Sequence, residues 1–278
     1  MIKNVVVISD THCGCQLGLC PPEITLDDGG IYKASKYQLF VWELWEKFWN
    51  EFVPKVTKNE DYALVINGDV IDGIHHNAVT QISHNIADQI LIAETILKPI
   101  ISNKKCKYYY HLRGTEAHAG QSGQFEEMLA KNLGAIPNDS GNYARWELWL
   151  RFGNNQNLCH FTHHISGTQS PAFETTALMK ELIEAYSEAG RWGDSPPDCV
   201  IRSHRHRYSK VEVPSRNTNA ISVCTPGWQL KTPFSYRMIM GRSALPQIGG
   251  IVLKEHEDVP VYVRQFVVGI PRAKEEII

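Results

Sequence analysis

The sequence predicts an α/β fold, and three observations lead to this expectation. Short runs rich in Val, Ile, Tyr and Phe recur along the chain, and most of them are too short for helices. Longer stretches between them carry apolar residues at helical spacing. After residue 208 the pattern becomes strand-rich. Alternation of strands and helices favours βαβ units, so we expect a mostly parallel core that a β-rich segment completes.

The elements follow from these patterns in chain order. The predicted strands are IKNVVVIS (2–9), YALVIN (62–67), KCKYYYHL (105–112), NLCHFTH (157–163), PDCVIRS (197–203) and, after residue 208, YSKVEVP, NAISVCT, GGIVLKE and VPVYVRQFVV. Helices are predicted at 35–53, 78–97 and 170–190. The first carries a broad apolar stripe, and the last opens on Ser-Pro and closes on Gly, as helices often do.

Length and composition predict one soluble domain. The 278 residues, 43% apolar and 21% charged, are those of an ordinary globular protein. No linker, repeat or low-complexity tract divides the chain, so we expect a single domain over 1–278. No apolar run approaches the roughly 18–20 residues that span a bilayer. The first apolar run is too short for a signal sequence and meets Asp10 at once, so we expect a cytoplasmic protein with no membrane contact.

The net charge and the cysteine content each argue against one class of protein. The net charge of −2 disfavours a processive nuclease that grips long DNA through many phosphates. Seven cysteines are an odd number, which disfavours a disulfide framework in a cytoplasmic chain. The spacing of Cys13, Cys15 and Cys20 matches no zinc pattern, so we expect reduced thiols that bind no metal.

Acidic residues and histidines follow five of the predicted strands. The stretches SDTHCG, NGDVIDG, RGTEAH, THHIS and SHRHR contain Asp10, His12, Asp69, Asp72, Glu116, His118, His163, His164, His204 and His206. Ligands of α/β sheets bind beyond the carboxyl ends of the strands, so these side chains should meet at one edge. Their oxygen and nitrogen donors suit Mn²⁺, Fe, Zn²⁺ or Ni²⁺. There are more donors than one ion needs, which predicts two ions roughly 3.5–4 Å apart, bridged by a carboxylate.

The order of these motifs resembles that of the calcineurin-like metallophosphoesterases. The motifs shared over residues 1 to about 210 are Asp10-x-His12, Gly68-Asp69-x-x-Asp72, a glycine turn at Gly114, a strand-end histidine and His204-x-His206. The resemblance implies a four-layer α/β/β/α sandwich with mixed sheets, and hydrolysis of a phosphate ester. The ligands that it implies are Asp10, His12 and His206 for the first metal, Asp69 as the bridge, and His163 and His204 for the second.

Two neighbours of these ligands leave alternatives open. His163 is preferred to His164 as a ligand because it ends its strand, and the choice stays open. Asp72 is expected to orient its own turn or a neighbouring ligand rather than to bind metal. Within the single domain, an insertion at about 13–60 lies between the first two motifs, and a long loop is expected at about 225–250.

The third motif departs from the family's pattern. The family has Gly-Asn-His followed by an acidic residue. Its Asn is a ligand of the second metal, and its His lies beside the leaving group. This chain instead has Gly-Thr-Glu-Ala-His from Gly114 to His118. We expect Glu116 to donate an oxygen to the second metal or to hold a water there. His118 would then act as general acid or oxyanion donor. The alternatives are that Thr115 replaces the asparagine, or that the second site is weak and Glu116 only caps its loop.

For the residues that contact the substrate, the sequence offers several candidates. Arg113 and Arg205 are candidates for the phosphate, since arginine makes bidentate phosphate contacts, and solvated surface charges are the alternative. The long loop at about 225–250 contains Trp228, Phe234 and Tyr236, which could stack a nucleobase, form an oligomer contact or pack over the sheet. The Trp-rich helix at 38–53 is expected to be core, with a lid as the alternative.

The leading functional prediction is a phosphodiesterase that acts on nucleotides or short nucleic acids. Two divalent ions, Mn²⁺ first with Fe, Zn²⁺ or Ni²⁺ as alternatives, would lower the pKa of a bridging water, so that hydroxide attacks the phosphorus near neutral pH. One alternative is a phosphomonoesterase or protein phosphatase. The other is a metal-binding scaffold with reduced catalysis.

Overall fold

The strands of the structure form two large sheets and one short hairpin. The computed structural model describes residues 1–166, 170–214, 219–237, 244–257 and 259–277. In chain order the strands are β1 (Asn4–Ile8), β2 (Glu23–Thr25), β3 (Ile31–Lys33), β4 (Tyr62–Asn67), β5 (Cys106–Leu112), β6 (Ala144–Arg145), β7 (Leu148–Phe152), β8 (Asn157–Phe161), β9 (Cys199–Arg202), β10 (Ser209–Pro214), β11 (Asn219–Cys224), β12 (Gln247–Lys254) and β13 (Tyr262–Gly269).

Both large sheets are mixed. Their strand orders are β13-β12-β1-β4-β5-β6 and β10-β11-β9-β8-β7, and β2 pairs with β3. In the first sheet β1, β4, β5 and β6 run parallel, and in the second β8, β9 and β11 do. Antiparallel neighbours, β12 and β13 in one sheet and β7 and β10 in the other, complete them. The parallel centres therefore carry β1, β4, β5, β8 and β9, the strands after which the predicted ligands lie.

The helices lie between the strands, largely where the apolar stripes predict them. They are α1 (Lys36–Lys47), a π-helical segment (Phe48–Phe52), α2 (Val53–Thr57), α3 (Ile86–Ile101), α4 (Glu116–Ala119), α5 (Gln124–Asn132), α6 (Glu174–Trp192) and α7 (Pro233–Arg237), with 3₁₀ turns at Gln121–Gly123 and Pro171–Phe173. None of the helices in the described part of the chain is long and apolar enough to cross a membrane.

Helix boundaries differ from the prediction where capping decides them. The helix expected at 78–97 begins only at Ile86, because the Asn85 side chain accepts a hydrogen bond from the Ala87 N–H and caps it there. The helix expected at 35–53 does begin after Ser35, which forms a capping box with Gln38. It then continues past 53 through the π-helical segment into α2.

The two sheets pack face to face with helices on their outer faces. One hydrophobic cluster joins side chains of both sheets, among them Val5, Val65, Phe161 and Ile201. A second cluster joins the other face of the six-stranded sheet to α1, α3 and α5. Smaller clusters join α6 to the outer face of the five-stranded sheet. These layers confirm the predicted four-layer α/β/β/α sandwich.

The predicted insertion and long loop are both structured in part. The segment at about 13–60 contains the β2–β3 hairpin, α1 and α2. Its residues Trp45 and Phe48 are buried in the helix–sheet cluster, as expected for core. The segment at about 225–250 contains α7 and the start of β12, and its residues 238–243 lie outside the described residues. Trp228 from this segment is also fully buried in the same cluster.

Candidate metal centre

The carboxyl ends of five strands converge at one edge of the sandwich and bring the predicted ligands together. Five of these residues have left-handed backbone angles, which are uncommon for residues other than glycine: Asp10 (φ 54°), His12 (φ 42°), Asp69 (φ 53°), His204 (φ 73°) and His206 (φ 52°). Such strained positions cluster at functional sites, where the surrounding structure holds them in place.

Backbone contacts hold the β1 and β4 turns against each other. The Asp10 N–H donates to the Gly68 carbonyl (2.9 Å) and the His12 N–H to the Asp69 carbonyl (3.2 Å). A side chain at Gly68 would place its Cβ 2.6 Å from His163 Nδ1, so only glycine fits at this turn. Main-chain hydrogen bonds therefore hold the turn after β1 next to the turn after β4.

The first group of candidate ligands consists of Asp10, His12 and His206. The His206 Nε2 lies 3.2 Å from the Asp10 Oδ1, and the His12 Nε2 lies 3.1 Å from the His206 Nε2. Two imidazole nitrogens that share a metal at about 2.0–2.1 Å would lie about this far apart. The group offers one carboxylate and two imidazoles to a common point.

The second group consists of Asp69, His163 and His204. The His163 Nε2 lies 3.0 Å from the Asp69 Oδ2, and the His204 Nδ1 lies 3.8 Å from the same oxygen. The His163 Nδ1 is 2.6 Å from the Asn67 carbonyl oxygen, which directs Nε2 into the site. The Asp10 Oδ1 lies 3.9 Å from the His163 Nε2, so the two groups adjoin.

The chemistry of these six residues fits divalent metal ions. The Asp10 Oδ1 and His163 Nε2 are buried, and despite the short distances to the His206 Nε2 and the Asp69 Oδ2 neither makes a well-aligned hydrogen bond with a described residue. Buried polar atoms are normally paired. Burial alone would raise the pKa of Asp10 and Asp69, yet the neighbouring histidines hold both well below the ordinary range. Two buried carboxylates next to four imidazoles form a donor set that suits Mn²⁺, Fe or Zn²⁺.

Asp72 lies behind the first group and orients it. Its Oδ1 is 3.4 Å from the His12 Nδ1, which turns the His12 Nε2 toward Asp10 and His206. The amides of Gln81 (2.8 Å to Oδ2) and Gln229 (3.3 Å to Oδ1) donate to the same carboxylate. Asp72 therefore lies where a residue that orients a ligand would be expected.

The third motif places Thr115, not Glu116, beside the candidate ligands. The Thr115 N–H and hydroxyl donate to the Asp69 Oδ1 at 2.7 and 3.1 Å. Glu116 is exposed as the first residue of α4, and it is in none of the potential metal-binding groups found among the described residues. The structure thus does not bring Glu116 to the site, because the helix that begins at this residue turns its side chain to solvent.

His118 lies next to the first group. Its ring contacts the His12 ring edge to face, with 4.4 Å between centroids. The His118 Nδ1 lies 2.5 Å from the Asp72 carbonyl oxygen, so Nδ1 carries the donated hydrogen and Nε2 remains for other partners. Burial lowers the pKa of His118 to about 4, which makes the neutral imidazole, with a lone pair at Nε2, the dominant form.

Glu126 is a functional candidate that the sequence analysis missed. Its carboxylate is fully buried and accepts the N–H of Val70 (3.0 Å) and of Gly114 (2.5 Å). It thereby joins the turns after β4 and β5. Burial raises the pKa of Glu126 to about 7. The sequence did contain a signal for this residue, since Glu126 lies on the same face of α5 as the apolar Leu129 and Ala130. A carboxylate on a buried face indicates a partner, because charged residues are seldom fully buried without one.

Of the two candidate phosphate-binding arginines and the alternative ligand His164, only Arg205 lines the cavity at the site. Arg113 donates to the carbonyls of Ala144 and Ser122 and to Glu127, and it does not line the cavity at the site. Arg205 does line this cavity; it donates to the carbonyl oxygens of Ser166 and Glu174. His164 is exposed and in none of the potential metal-binding groups of the described residues.

A cavity of about 400 Å³ opens over the two groups. Its inner end is lined by site residues, including His12, Asp69, His118 and His206. Its outer end is lined by the segment after Asp72 and by the segment that leads into α7. The site is therefore a cleft with room for a small ligand rather than a closed structural metal site.

Comparison with known proteins gives similarity of structure only. No protein-family model matches the chain, and no curated protein is similar to it in sequence. Similar solved structures include Vps29 of Chaetomium thermophilum (10% identity over 97% of each chain, TM-score 0.43) and a predicted phosphoesterase of Streptococcus pneumoniae (11% identity, 96% of this chain and 98% of that chain, TM-score 0.36). A third is the sulfate thiohydrolase SoxB of Thermus thermophilus (10% identity, 96% of this chain and 56% of that chain, TM-score 0.41).

The four-layer architecture agrees with the fold that the predicted resemblance to the calcineurin-like metallophosphoesterases implies. Because the identities are near one in ten and the TM-scores are below 0.5, these similarities do not bear on activity. Function has to be inferred from the site.

Proposed function

We propose that the chain is a metal-dependent phosphoester hydrolase, and more specifically a phosphodiesterase that acts on nucleotides or short nucleic acids. The observation that carries the proposal is the pair of adjoining groups, each with one carboxylate and two imidazoles, under an open cavity. Asp10, His12 and His206 would hold one ion, His163 and His204 the other, and Asp69 would be shared. Two divalent ions bound there would activate a water and stabilise the charge on the phosphoryl oxygens.

The surrounding side chains support this chemistry by fixing the ligands. Asp72 orients His12, and Thr115 holds one oxygen of Asp69 by two hydrogen bonds. Arg205 lies on the cavity wall, where its guanidinium can pair with a non-bridging phosphoryl oxygen. Each of these side chains thus either holds a ligand in position or binds the phosphate.

Basic side chains on the cavity wall can compensate the charge of a phosphate ester. One of the three arginines that the described residues contribute to the cavity wall, Arg207, is neutralised by Glu174, whose Oε1 lies 2.6 Å from its Nε. Beside the metal-binding groups, Arg205, Lys231 and Arg237 also line the cavity and can compensate charge on the substrate. A phosphomonoester carries about −1.5 to −2 near neutral pH and a diester a single negative charge, so the relative rates on the two esters report which charge the site accommodates.

The test is Mn²⁺-dependent hydrolysis of bis(p-nitrophenyl) phosphate, run beside p-nitrophenyl phosphate. We expect turnover of the diester in Mn²⁺, loss of turnover on chelation, and a kcat/KM for the diester above that for the monoester. Hydrolysis of the monoester alone would instead support a phosphomonoesterase. Mn²⁺ binding with no turnover of either ester would support the scaffold alternative.

We propose that His118 acts on the leaving group. With Nδ1 held by the Asp72 carbonyl, the ring presents Nε2, and a bound anionic phosphate would favour protonation there. Replacing His118 with Gln should therefore lower kcat about 10²-fold for diphenyl phosphate, whose phenolate needs a proton. The loss should be less than about tenfold for the bis(p-nitrophenyl) ester, because its more acidic leaving group departs without help. Steady-state kinetics on both esters would measure the difference.

The exposed His84, which does not line the cavity, provides the matched control. Replacing His84 with Gln should leave both rates within about twofold, because exposed positions away from the site seldom matter. An equal loss for the two esters in His118→Gln would contradict a role in proton transfer. It would instead indicate that His118 helps to hold the metal-binding groups.

A further inference from the structure

Phe234, the second residue of α7, is an aromatic side chain that does not pack into the core. It is half-buried and belongs to none of the hydrophobic clusters that the described residues form. Trp228 from the same connection is fully buried. Phe234 instead lines the outer end of the cavity over the candidate metal centre. Its position is thus not explained by core packing.

The ring of Phe234 is stacked on the ring of His76. Their centroids are 4.4 Å apart and their planes are inclined by 28°. His76 has a left-handed backbone (φ 49°), and so does Asn77 (φ 51°), a conformation that is unfavourable for residues with a side chain. The turn after Asp72 is therefore held in a strained form that presents His76 to Phe234.

Ring contacts connect this pair to the candidate metal centre. His76 contacts His75 (5.1 Å between centroids), His75 contacts His118 (4.4 Å), and His118 contacts His12 (4.4 Å). One wall of the cavity is thus a row of aromatic rings that begins at a candidate ligand and ends at Phe234. A substrate whose phosphate lies at the metal centre would extend along this wall.

The outer end of the cavity is mostly apolar, with a few hydrogen-bonding and basic groups. Val79, Leu230 and Pro233 supply apolar surface, and the hydroxyls of Thr232 and Ser235, 3.1 Å apart, lie beside it. Sites for planar organic ligands combine these features: mostly apolar and aromatic walls, with a small number of polar groups that fix orientation. A nucleobase has the matching chemistry, since it has a flat π-face and a polar edge.

We propose that Phe234 and His76 form a stacking platform for the nucleobase of a nucleoside phosphodiester substrate. The proposal rests on the proposed function, which places the phosphate at the metal centre. It adds a specificity determinant, because stacking on an aromatic side chain accepts any base but not a small alkyl group. Phe234 would then discriminate between substrates without taking part in the chemistry.

The experiment compares two chromogenic diesters with the same leaving group, thymidine 5′-(p-nitrophenyl phosphate) and methyl p-nitrophenyl phosphate, in Mn²⁺. Loss of one base stack should reduce kcat/KM about tenfold. We therefore expect Phe234→Ala to lose about tenfold on the thymidine ester and less than twofold on the methyl ester. Phe234→Trp should retain the preference for thymidine. Tyr236→Ala is the matched control in the same helix, because Tyr236 does not line the cavity, and it should change neither rate.

A binding measurement keeps the platform testable apart from catalysis. Calorimetric titration of the Mn²⁺-loaded protein with thymidine 5′-phosphate and with ribose 5-phosphate should show tighter binding of the nucleotide. Phe234→Ala should abolish that difference while circular dichroism remains unchanged. If the protein hydrolyses neither ester yet shows this difference, the proposed function fails and the platform stands. Equal losses on both esters in Phe234→Ala, or no preference for the nucleotide over the sugar phosphate, would overturn the platform.

Discussion

Replacing Asp69 with Asn is expected to lower Mn²⁺-dependent kcat/KM for the diester by about 10³-fold or more. The carboxylate is shared between the Thr115 N–H, 2.7 Å from Oδ1, and the second candidate group, with Oδ2 3.0 Å from the His163 Nε2. Asparagine can keep its oxygen toward Thr115 only by turning its NH₂ toward the metal position, where it cannot bind a cation. Loss of the shared ligand removes several kcal/mol of charge stabilisation, and each 1.36 kcal/mol is a factor of ten in rate.

Metal content is the second measurement on this variant. Wild-type protein should bind two Mn²⁺ per chain by elemental analysis after gel filtration, and Asp69→Asn should bind fewer. Asp61→Asn is the control with the same chemical change, since Asp61 lies on the surface beside Lys105 and Lys107 (3.6 and 3.7 Å). Two bound ions and undiminished turnover in Asp69→Asn would contradict the assignment of Asp69 as the shared ligand.

The parts of this site that the sequence predicts are those that strand topology determines. Asp10, Asp69, His163 and His204 each come shortly after a strand in the parallel part of a sheet. Parallel strands bring such residues to a common edge whatever the details of packing. The grouping of the candidate ligands could therefore be predicted before any distance was known.

The parts that the sequence does not predict depend on where a helix begins and on which face it buries. Glu116 seemed the better ligand by chemistry, but α4 begins at this residue and leaves it exposed. Thr115, just before α4, contacts Asp69 instead. Glu126 is one position from Glu127 in α5, and the two differ because the helix turns one inward and the other toward Arg113. A shift of one residue decides each case, and helix boundaries are known from sequence only to within a few residues.

Trp228 connects the stability of the fold to the position of the site. Its side chain is fully buried against Trp45 and Phe48, with ring centroids 4.8 and 5.6 Å away. Its backbone N–H donates to the Asp10 carbonyl at 2.8 Å. The same residue thus fills the core between α1 and the six-stranded sheet and ties the segment before α7 to the first candidate ligand.

Replacing Trp228 with Ala should lower the free energy of unfolding by about 3–5 kcal/mol, the cost of removing a large aromatic side chain from a packed core. Equilibrium unfolding in urea, with chelator present so that bound metal does not add stability, measures this loss. Trp192→Ala is the matched control. Trp192 is 73% exposed, so its removal should change the free energy by no more than about 0.5 kcal/mol.

A Trp228→Phe variant separates the packing of this ring from its polar group. The indole N–H is buried and has no hydrogen-bond partner within the described ranges, and an unpaired buried donor is unfavourable. Phenylalanine keeps much of the aromatic contact and removes the unpaired donor, so this variant should lose clearly less stability than Trp228→Ala. If Phe proved as destabilising as Ala, the indole N–H would have to bind a partner, such as a buried water.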